Sequence, residues 1–163
     1  MKSVTRQEAK LYITESGLTD SNNILAFSDI SKKPTLVVPT EGKDALTVFD
    51  IARFICAHLA NAGEILIWME AREPFTQAEE SLLFDSFIRS TGEKPSNTLF
   101  FSADELESLT VILALGLLYR WDFWVIAKSS GFIAHHSHDT GINIFTASRE
   151  MLVAAQQLGL AKR

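Results

Sequence analysis

The sequence predicts an α/β or α+β fold, in which a mixed β-sheet is covered by helices and the C-terminal part forms an antiparallel hairpin or meander. The chain has 163 residues, so we expect a single globular domain over 1–163. Hydrophobic residues make up 47% and charged residues 21%, which is typical of a globular protein. Helical and strand-like segments alternate through the middle of the chain and strand-like segments follow one another near its end, an order that indicates the fold class.

The N-terminal part predicts one helix and two short strands. Thr5 and Glu8 have the spacing of a capping box, in which each side chain bonds a free N–H at the helix start. We therefore expect a helix over 5–16, which Gly17 ends. The next predicted elements are a turn and two strands, over 20–23, 24–27 and 35–38.

The second helix is predicted by an apolar face that follows a capping residue. Asp44 caps a helix over 45–60, and Gly63 follows its end. The apolar residues at the spacing of one helical face are Ala45, Val48, Phe49, Ala52, Ile55, Cys56 and Leu59. The run 65–69 is continuously apolar, a pattern typical of a strand buried on both faces.

Capping boxes also predict the third and fourth helices. The pairs and their helices are Thr76 with Glu79 for 76–90, and Ser102 with Glu105 for 102–118. The third helix is expected to turn inward Leu83, Phe84, Phe87 and Ile88. The acidic residues around its start are interpreted as a solvated helix end, and they are Glu70, Glu73, Glu79 and Glu80. From Leu109 the fourth helix is apolar nearly all round, so we expect it to be buried in the core or between subunits.

The remaining elements are strands and one last helix. The segment 99–101 is predicted to be a short strand. Aromatic and β-branched residues predict a strand over 121–127. The turn at 129–131 and the returning strand 132–137 complete a hairpin. A third strand and a final helix are predicted over 142–145 and 148–158.

Charge and cysteine content narrow the function classes. The chain has 15 Lys and Arg against 20 Asp and Glu, a net charge of −5, and its basic residues are scattered. Nucleic-acid binding is therefore disfavoured, whereas a basic protein partner suits this surface. Cys56 is the only cysteine, residues 1–8 lack the apolar core of a signal peptide, and the most apolar stretch, 109–119, is too short to cross a membrane. We expect a cytoplasmic protein with no membrane contact.

Three of the four histidines, His135, His136 and His138, lie within four residues. Alternate side chains of a strand share a face, so His136 and His138 are predicted to point the same way and to supply two ligands of a zinc site. If Lys128 pairs with Phe132 across the hairpin, Trp124 faces His136 and Asp122 faces His138. The candidate ligand-binding residues are therefore Asp122, Trp124, His136 and His138, of which His136 and His138 are the candidate metal ligands.

The run His136-Ser137-His138 resembles the first part of the H-x-H-x-D-H motif of metallo-β-lactamase-like hydrolases. Asp139 stands one residue early and Gly141 replaces the closing histidine, so the resemblance covers about three residues and carries no activity to this chain. A structural interpretation stays open beside it. The run is then the exposed end of a strand entering a turn, and His138 paired with Asp122 fixes the strand register.

Phosphate-loop, dinucleotide-binding, serine-hydrolase and zinc-peptidase motifs do not occur in the sequence. Our first functional hypothesis is therefore a non-enzymatic binding or regulatory protein that acts through protein–protein contact, of which an inhibitor or immunity-type protein is one version. The alternative is a small metal-dependent or acid–base hydrolase that uses His136, His138 and Asp122. A third hypothesis is a structural subunit that self-associates through the helix around 109–118. No cofactor is expected apart from zinc in the metal-dependent version.

Overall fold

The computed structural model describes residues 1–21, 24–29, 31–70, 78–90, 92–93 and 96–160. Its α-helices are α1 (Arg6–Glu15), α2 (Ala45–Leu59), α3 (Ala78–Ser90), α4 (Leu106–Leu118) and α5 (Arg149–Gln157). Its strands are β1 (Lys2–Ser3), β2 (Leu18–Ser21), β3 (Ile24–Phe27), β4 (Leu36–Val38), β5 (Ile65–Met69), β6 (Thr98–Phe101), β7 (Phe123–Ala127), β8 (Phe132–Ser137) and β9 (Gly141–Ile144).

Seven strands form the main sheet in the order β1-β6-β5-β7-β8-β9-β4, and β2 pairs with β3 in a separate hairpin. Each neighbouring pair in the main sheet is antiparallel. The predicted fold class is thus confirmed in its α+β form, with the meander β7-β8-β9 near the C-terminal end, and the sheet is antiparallel rather than mixed. None of the helices in the described part of the chain has the length and apolar character needed to cross a membrane.

The sheet is buried on both faces at its centre. One face packs against residues of α2, α3, α4 and α5, and the other against α1 and the β2–β3 hairpin. Along β5, Ile65, Ile67 and Met69 point to the first face, whereas Leu66 and Trp68 point to the second. This two-sided cover explains why all five residues of β5 are apolar and buried, as predicted.

The very apolar α4 is buried within the chain itself, one of the two positions expected for it. Seven of its residues are buried, and it lies against α2. Gly116 allows the close approach of Phe123, since a Cβ at residue 116 would lie 2.7 Å from Phe123 Cε1. The apolar surface of α4 therefore contributes to the core of one chain.

The local signals located most helices correctly. Thr5 N–H donates to Glu8 Oε2 at 2.6 Å, and Ser102 N–H donates to Glu105 Oε2 at 2.9 Å, so both capping boxes are present. Thr76, on which the second predicted capping box depends, lies outside the described residues. Leu83, expected to face inward, is 46% exposed.

Strands β1 and β2 were not predicted. In β2 only the first residue, Leu18, is buried and the next three are exposed, so the strand lacks the apolar alternation that identifies strands in a sequence. The strand β1 has two residues and is held by pairing with β6. The strand β1 thus depends on a partner distant in the sequence, whereas β2 depends on pairing with the neighbouring β3 rather than on an apolar pattern of its own.

Candidate functional site

Polar side chains gather at one end of the main sheet. Glu70 follows β5, Asp122 precedes β7, and His135, His136 and His138 lie in or just after β8. Because β5, β7 and β8 are antiparallel neighbours, the end of β5, the start of β7 and the end of β8 lie side by side. The backbone N–H of Glu70 donates to the carbonyl oxygen of Asp122 at 3.0 Å, which joins two of these ends.

The register of the β7–β8 hairpin differs by one residue from the predicted one. Ala127, not Lys128, pairs with Phe132, so Trp124 lies opposite His135 rather than His136. The physical reason is the turn: a 3₁₀ turn at Lys128–Ser130 followed by Gly131 at φ 68° makes a connection one residue longer than expected. Turn length sets hairpin register, and a slip of one residue moves every side chain to the other face.

His136 is buried on the face that α2 to α5 cover, where it stacks on Phe123 with ring centroids 5.1 Å apart. Its Nδ1 lies 2.6 Å from the Trp121 carbonyl oxygen and therefore carries the proton, so its Nε2 accepts the Thr40 hydroxyl at 3.2 Å. Burial lowers the pKa of His136 from 6.5 to about 4, although the hydrogen bond to Trp121 opposes this shift. The imidazole is therefore neutral near pH 7.

His138 and Asp122 are in contact, as the sequence hypothesis required. The Nδ1 of His138 lies 3.0 Å from both carboxylate oxygens of Asp122, and its backbone N–H donates to Oδ1 at 2.8 Å. These hydrogen bonds and the negative charge of Asp122 raise the pKa of His138. Both residues lie just outside their strands, so the contact forms at the strand ends and survives the shifted register.

Trp124, His135 and Glu70 form a second polar group on the opposite face of the sheet. The carboxylate of Glu70 accepts hydrogen bonds from Trp124 Nε1 at 2.8 Å and from the Leu25 backbone N–H at 3.1 Å. His135 stacks on Trp124 at 4.4 Å, and its Nε2 lies 3.6 Å from Glu70 Oε2. Burial opposes ionisation of Glu70, but the nearby His135 ring and the hydrogen bonds from Trp124 and the Leu25 N–H outweigh it and lower the pKa of Glu70.

Sequence analysis missed the roles of Glu70 and His135. Glu70 was interpreted as part of a solvated helix start, but its side chain is 14% exposed and joins the β2–β3 hairpin to β7. The signal available in the sequence was its place directly after the buried strand β5. That position puts a carboxylate at the sheet end where the histidines also lie.

The described ranges contain no group of three His, Cys, Asp or Glu side chains that could hold a metal ion. Both ring nitrogens of His136 already have partners within the protein. Zinc binding by His136 and His138 stays a prediction of the metal-dependent hypothesis alone, and it would require the loss of the two His136 hydrogen bonds.

A second candidate site lies at the other edge of the molecule, beside β1. Two hollows of about 280 and 360 Å³ share Lys2, Glu64 and Phe100 in their linings and therefore adjoin each other. We call this pair of hollows the N-terminal groove. Its other charged and large apolar lining residues are Met1, Val4, Glu8, Leu11, Tyr12, Glu15, Phe101 and Glu105. The lining thus combines four glutamates with one lysine and several apolar side chains.

Comparisons of the chain with models of protein families, with curated proteins and with solved structures found no match.

Proposed function

We propose that this chain is a non-enzymatic binding protein that acts through protein–protein contact, and that its partner presents a basic, partly apolar surface. The observation that supports the proposal is the N-terminal groove, where acidic and exposed apolar side chains occur together. The net charge of −5 favours the same class of partner. We place this contact in the cytoplasm. The single cysteine, Cys56, is buried and forms no disulfide bond, as is typical of proteins in a reducing compartment.

The groove offers both an apolar anchor and a negative charge. Leu11 is 67% exposed on the outer side of α1, and Glu64 is exposed beside it in the lining of the same hollow. Some of the acidic groups already have partners: Glu15 pairs with Lys128, and Glu105 pairs with the Met1 amino group. Glu64 and Leu11 are therefore the side chains that we assign to partner contact.

The edge strand β1 restricts how a partner can bind. The backbone N–H of Ser3 donates to Glu93 Oε2 at 2.9 Å, so a carboxylate already covers part of this edge. A partner that added a strand beside β1 would have to displace Glu93. We therefore assign recognition to side chains in the groove, and an inhibitor or immunity-type role is the version in which the partner is a basic enzyme.

The proposal is tested by fluorescence anisotropy with a labelled peptide of alternating lysine and leucine and with a glutamate–leucine counterpart. We expect the basic peptide alone to bind, and binding to weaken as salt rises. The groove double variant Leu11→Ser/Glu64→Lys should weaken binding by at least about fivefold, because it removes one apolar and one ionic contact. The matched control is Leu46→Ser/Asp50→Lys on α2, which removes an exposed leucine and reverses a charge elsewhere.

Equal weakening by the two double variants would show binding by net charge alone and would overturn the proposal. The same two double variants are then used as baits to capture a native partner. The groove variant should no longer capture it, and the α2 variant should still do so. Light scattering tests for a dimer. If the unchanged protein is a dimer and only the groove variant is a monomer, the groove serves self-association, and the proposal of a basic partner is overturned.

A second candidate function, an acid–base hydrolase, is favoured by one specific observation. The Thr40 hydroxyl donates to the neutral Nε2 of His136, whose Nδ1–H is held by the Trp121 carbonyl, an arrangement of nucleophile, base and orienting group. A base with a pKa of about 4 is weak near pH 7, which is why this function ranks second. Ester hydrolysis that Thr40→Ser keeps and Thr40→Val abolishes would support it; equal rates in the two variants would remove it.

A further inference from the structure

We propose that the cleft between the loop before α2 and the turn after α4 binds a small oxyanion, held by Arg120 and Lys43. The cleft has a volume of about 130 Å³. Its apolar wall is made of Val48, Leu117 and Leu118. The site is separate from the N-terminal groove and does not depend on the proposed function.

Arg120 has an unusual backbone conformation that the structure holds in place. Its φ is 57°, and among the described residues it is the one residue other than glycine with a positive φ. This is the left-handed residue of a Schellman cap that ends α4, in which the Trp121 N–H donates to the Gly116 carbonyl oxygen at 2.8 Å and the Arg120 N–H to the Leu117 carbonyl oxygen at 3.4 Å. The cap fixes the point from which the Arg120 side chain extends. The guanidinium Nη2 donates to the His138 carbonyl oxygen at 2.7 Å, which orients the group and uses one of its five N–H donors.

The His138–Asp122 pair positions Arg120 within this arrangement. Asp122 accepts hydrogen bonds from the backbone N–H and from the ring Nδ1 of His138, and these bonds fix the carbonyl group that Arg120 contacts. His138 also lines the cleft. The pair that the sequence singled out is therefore a positioning device, and Asp122 acts on the ligand through His138 and Arg120.

The charges around the cleft favour an anion. Lys43 and Arg120 contribute two positive charges to the lining, against one negative charge from Glu41. His138 is balanced by Asp122 and by Asp139, whose Oδ1 lies 3.3 Å from His138 Nε2. Among the residues that line the cleft the surplus is positive, since Asp122 and Asp139 contact His138 but do not belong to the lining. A planar guanidinium with free donors suits the paired oxygens of a carboxylate or phosphoryl group.

The start of α2 lies beside the cleft but does not constitute the site. Asp44 caps this helix by accepting the Thr47 N–H at 2.8 Å. The positive end of the helix dipole therefore adds to the field of Lys43 and Arg120 rather than supplying free N–H groups. The proposal depends on the two cationic side chains.

The test is a titration followed by ¹H–¹⁵N NMR, with inorganic phosphate in one arm, acetate in the second and chloride at equal ionic strength as reference. We expect saturable shifts of the amide signals of residues 41–43, 118–120 and 138. Saturation with phosphate alone assigns a phosphoryl ligand, and saturation with acetate assigns a carboxylate. Shifts that only follow ionic strength, as with chloride, would overturn the proposal.

Substitutions distinguish the residues that bind the anion, Arg120 and Lys43, from Asp122, which positions Arg120 through His138. Arg120→Gln and Lys43→Gln should each weaken binding at least tenfold, whereas Asp122→Asn should weaken it less and should also lower the pKa of His138. Arg53→Gln, an exposed arginine on the outer side of α2, is the control and should bind as the unchanged protein does. Because Lys43 is exposed in a loop, its variant keeps the test informative if Arg120→Gln unfolds. Unchanged affinity in Lys43→Gln would overturn the site.

Discussion

The ring Nδ1 of His136 donates to the backbone carbonyl oxygen of Trp121 at 2.6 Å, while its Nε2 accepts the Thr40 hydroxyl at 3.2 Å. One buried imidazole thus joins the end of β8 to the turn before β7 and to the loop after β4. Together with Glu70 after β5, these three segments carry the polar groups at this end of the sheet. The protonation state of His136 is therefore linked to the stability of the whole region.

We expect an acid-sensitive stability that originates at His136. Its pKa is about 4 in the folded protein against a usual 6.5, so the unfolded chain takes up the proton first as the pH falls. The contribution of His136 is complete above pH 6.5 and is lost progressively down to about pH 4. At roughly 1.4 kcal/mol per pKa unit, the loss is on the order of 3 kcal/mol.

Urea denaturation at pH 7 and at pH 4.5 measures the free energy of unfolding of the unchanged protein and of the variant His136→Gln. The variant should be less stable at pH 7 but should lose less stability on acidification than the unchanged protein. The control is His58→Gln, whose ring contacts the Phe54 carbonyl on the surface of α2. An equal acid loss in the unchanged protein and in His136→Gln would exclude His136 as the source.

The second prediction concerns the carboxylate of Glu70. Replacement by alanine leaves Trp124 Nε1 and the Leu25 N–H without their acceptor, and a buried unpaired donor costs about 1–3 kcal/mol. We expect the free energy of unfolding to fall by this amount. Urea denaturation monitored by tryptophan fluorescence measures it. Glu64→Ala, at an exposed position, should change stability by less than about 0.5 kcal/mol. Equal losses in the two variants would contradict the role of Glu70.

Two glycines with a positive φ allow backbone strain to be separated from steric clash. Gly141 has φ 88°, and a Cβ there would lie 2.5 Å from the Val38 carbonyl oxygen, whereas Gly159 has φ 66° and open space around it. Gly159→Ala should cost about 1–2 kcal/mol from the left-handed conformation alone. Gly141→Ala should cost about 1–3 kcal/mol more, since the clash adds to the strain.

Hydrogen exchange locates the effect of the Gly141 variant. The amides of β4 and β9 should lose protection in Gly141→Ala, because the clash lies between these two strands. Gly159→Ala should leave these amides unchanged. Equal destabilisation in both variants would show that the close approach of Val38 to residue 141 has no energetic consequence.

Zinc binding by His136 and His138 is tested by metal analysis of the untagged protein and by melting curves with Zn²⁺ or a chelator. We expect no stoichiometric zinc and no shift in melting temperature, since His136 would have to lose its bonds to Trp121 and Thr40. A ligand at a hundredfold excess over its Kd stabilises the folded state by about 2.7 kcal/mol. A stabilisation of that size that His136→Gln and His138→Gln both abolish would restore the zinc hypothesis.

Local signals in the sequence were sufficient for most of the helices and for the central strand. The capping pairs at Thr5 and Ser102 act within three residues, so they determine where α1 and the turn into α4 begin whatever surrounds them. The unbroken apolar run of β5 required cover on two faces, and the structure provides it. These features depend on backbone geometry and burial, which a sequence displays directly.

The tertiary structure alone decided the strand pairings and the composition of the polar sheet end. The connection after β7 moved the register by one residue, which placed Trp124 beside His135 and Glu70 and left His136 on the opposite face. Glu70 and His135 are 65 positions apart in the sequence, and only the order of β5, β7 and β8 brings them together. The sequence by itself therefore determined most of the helices and the central strand. Their arrangement into sites followed from long-range packing, because side chains distant in sequence become neighbours only after the sheet has formed.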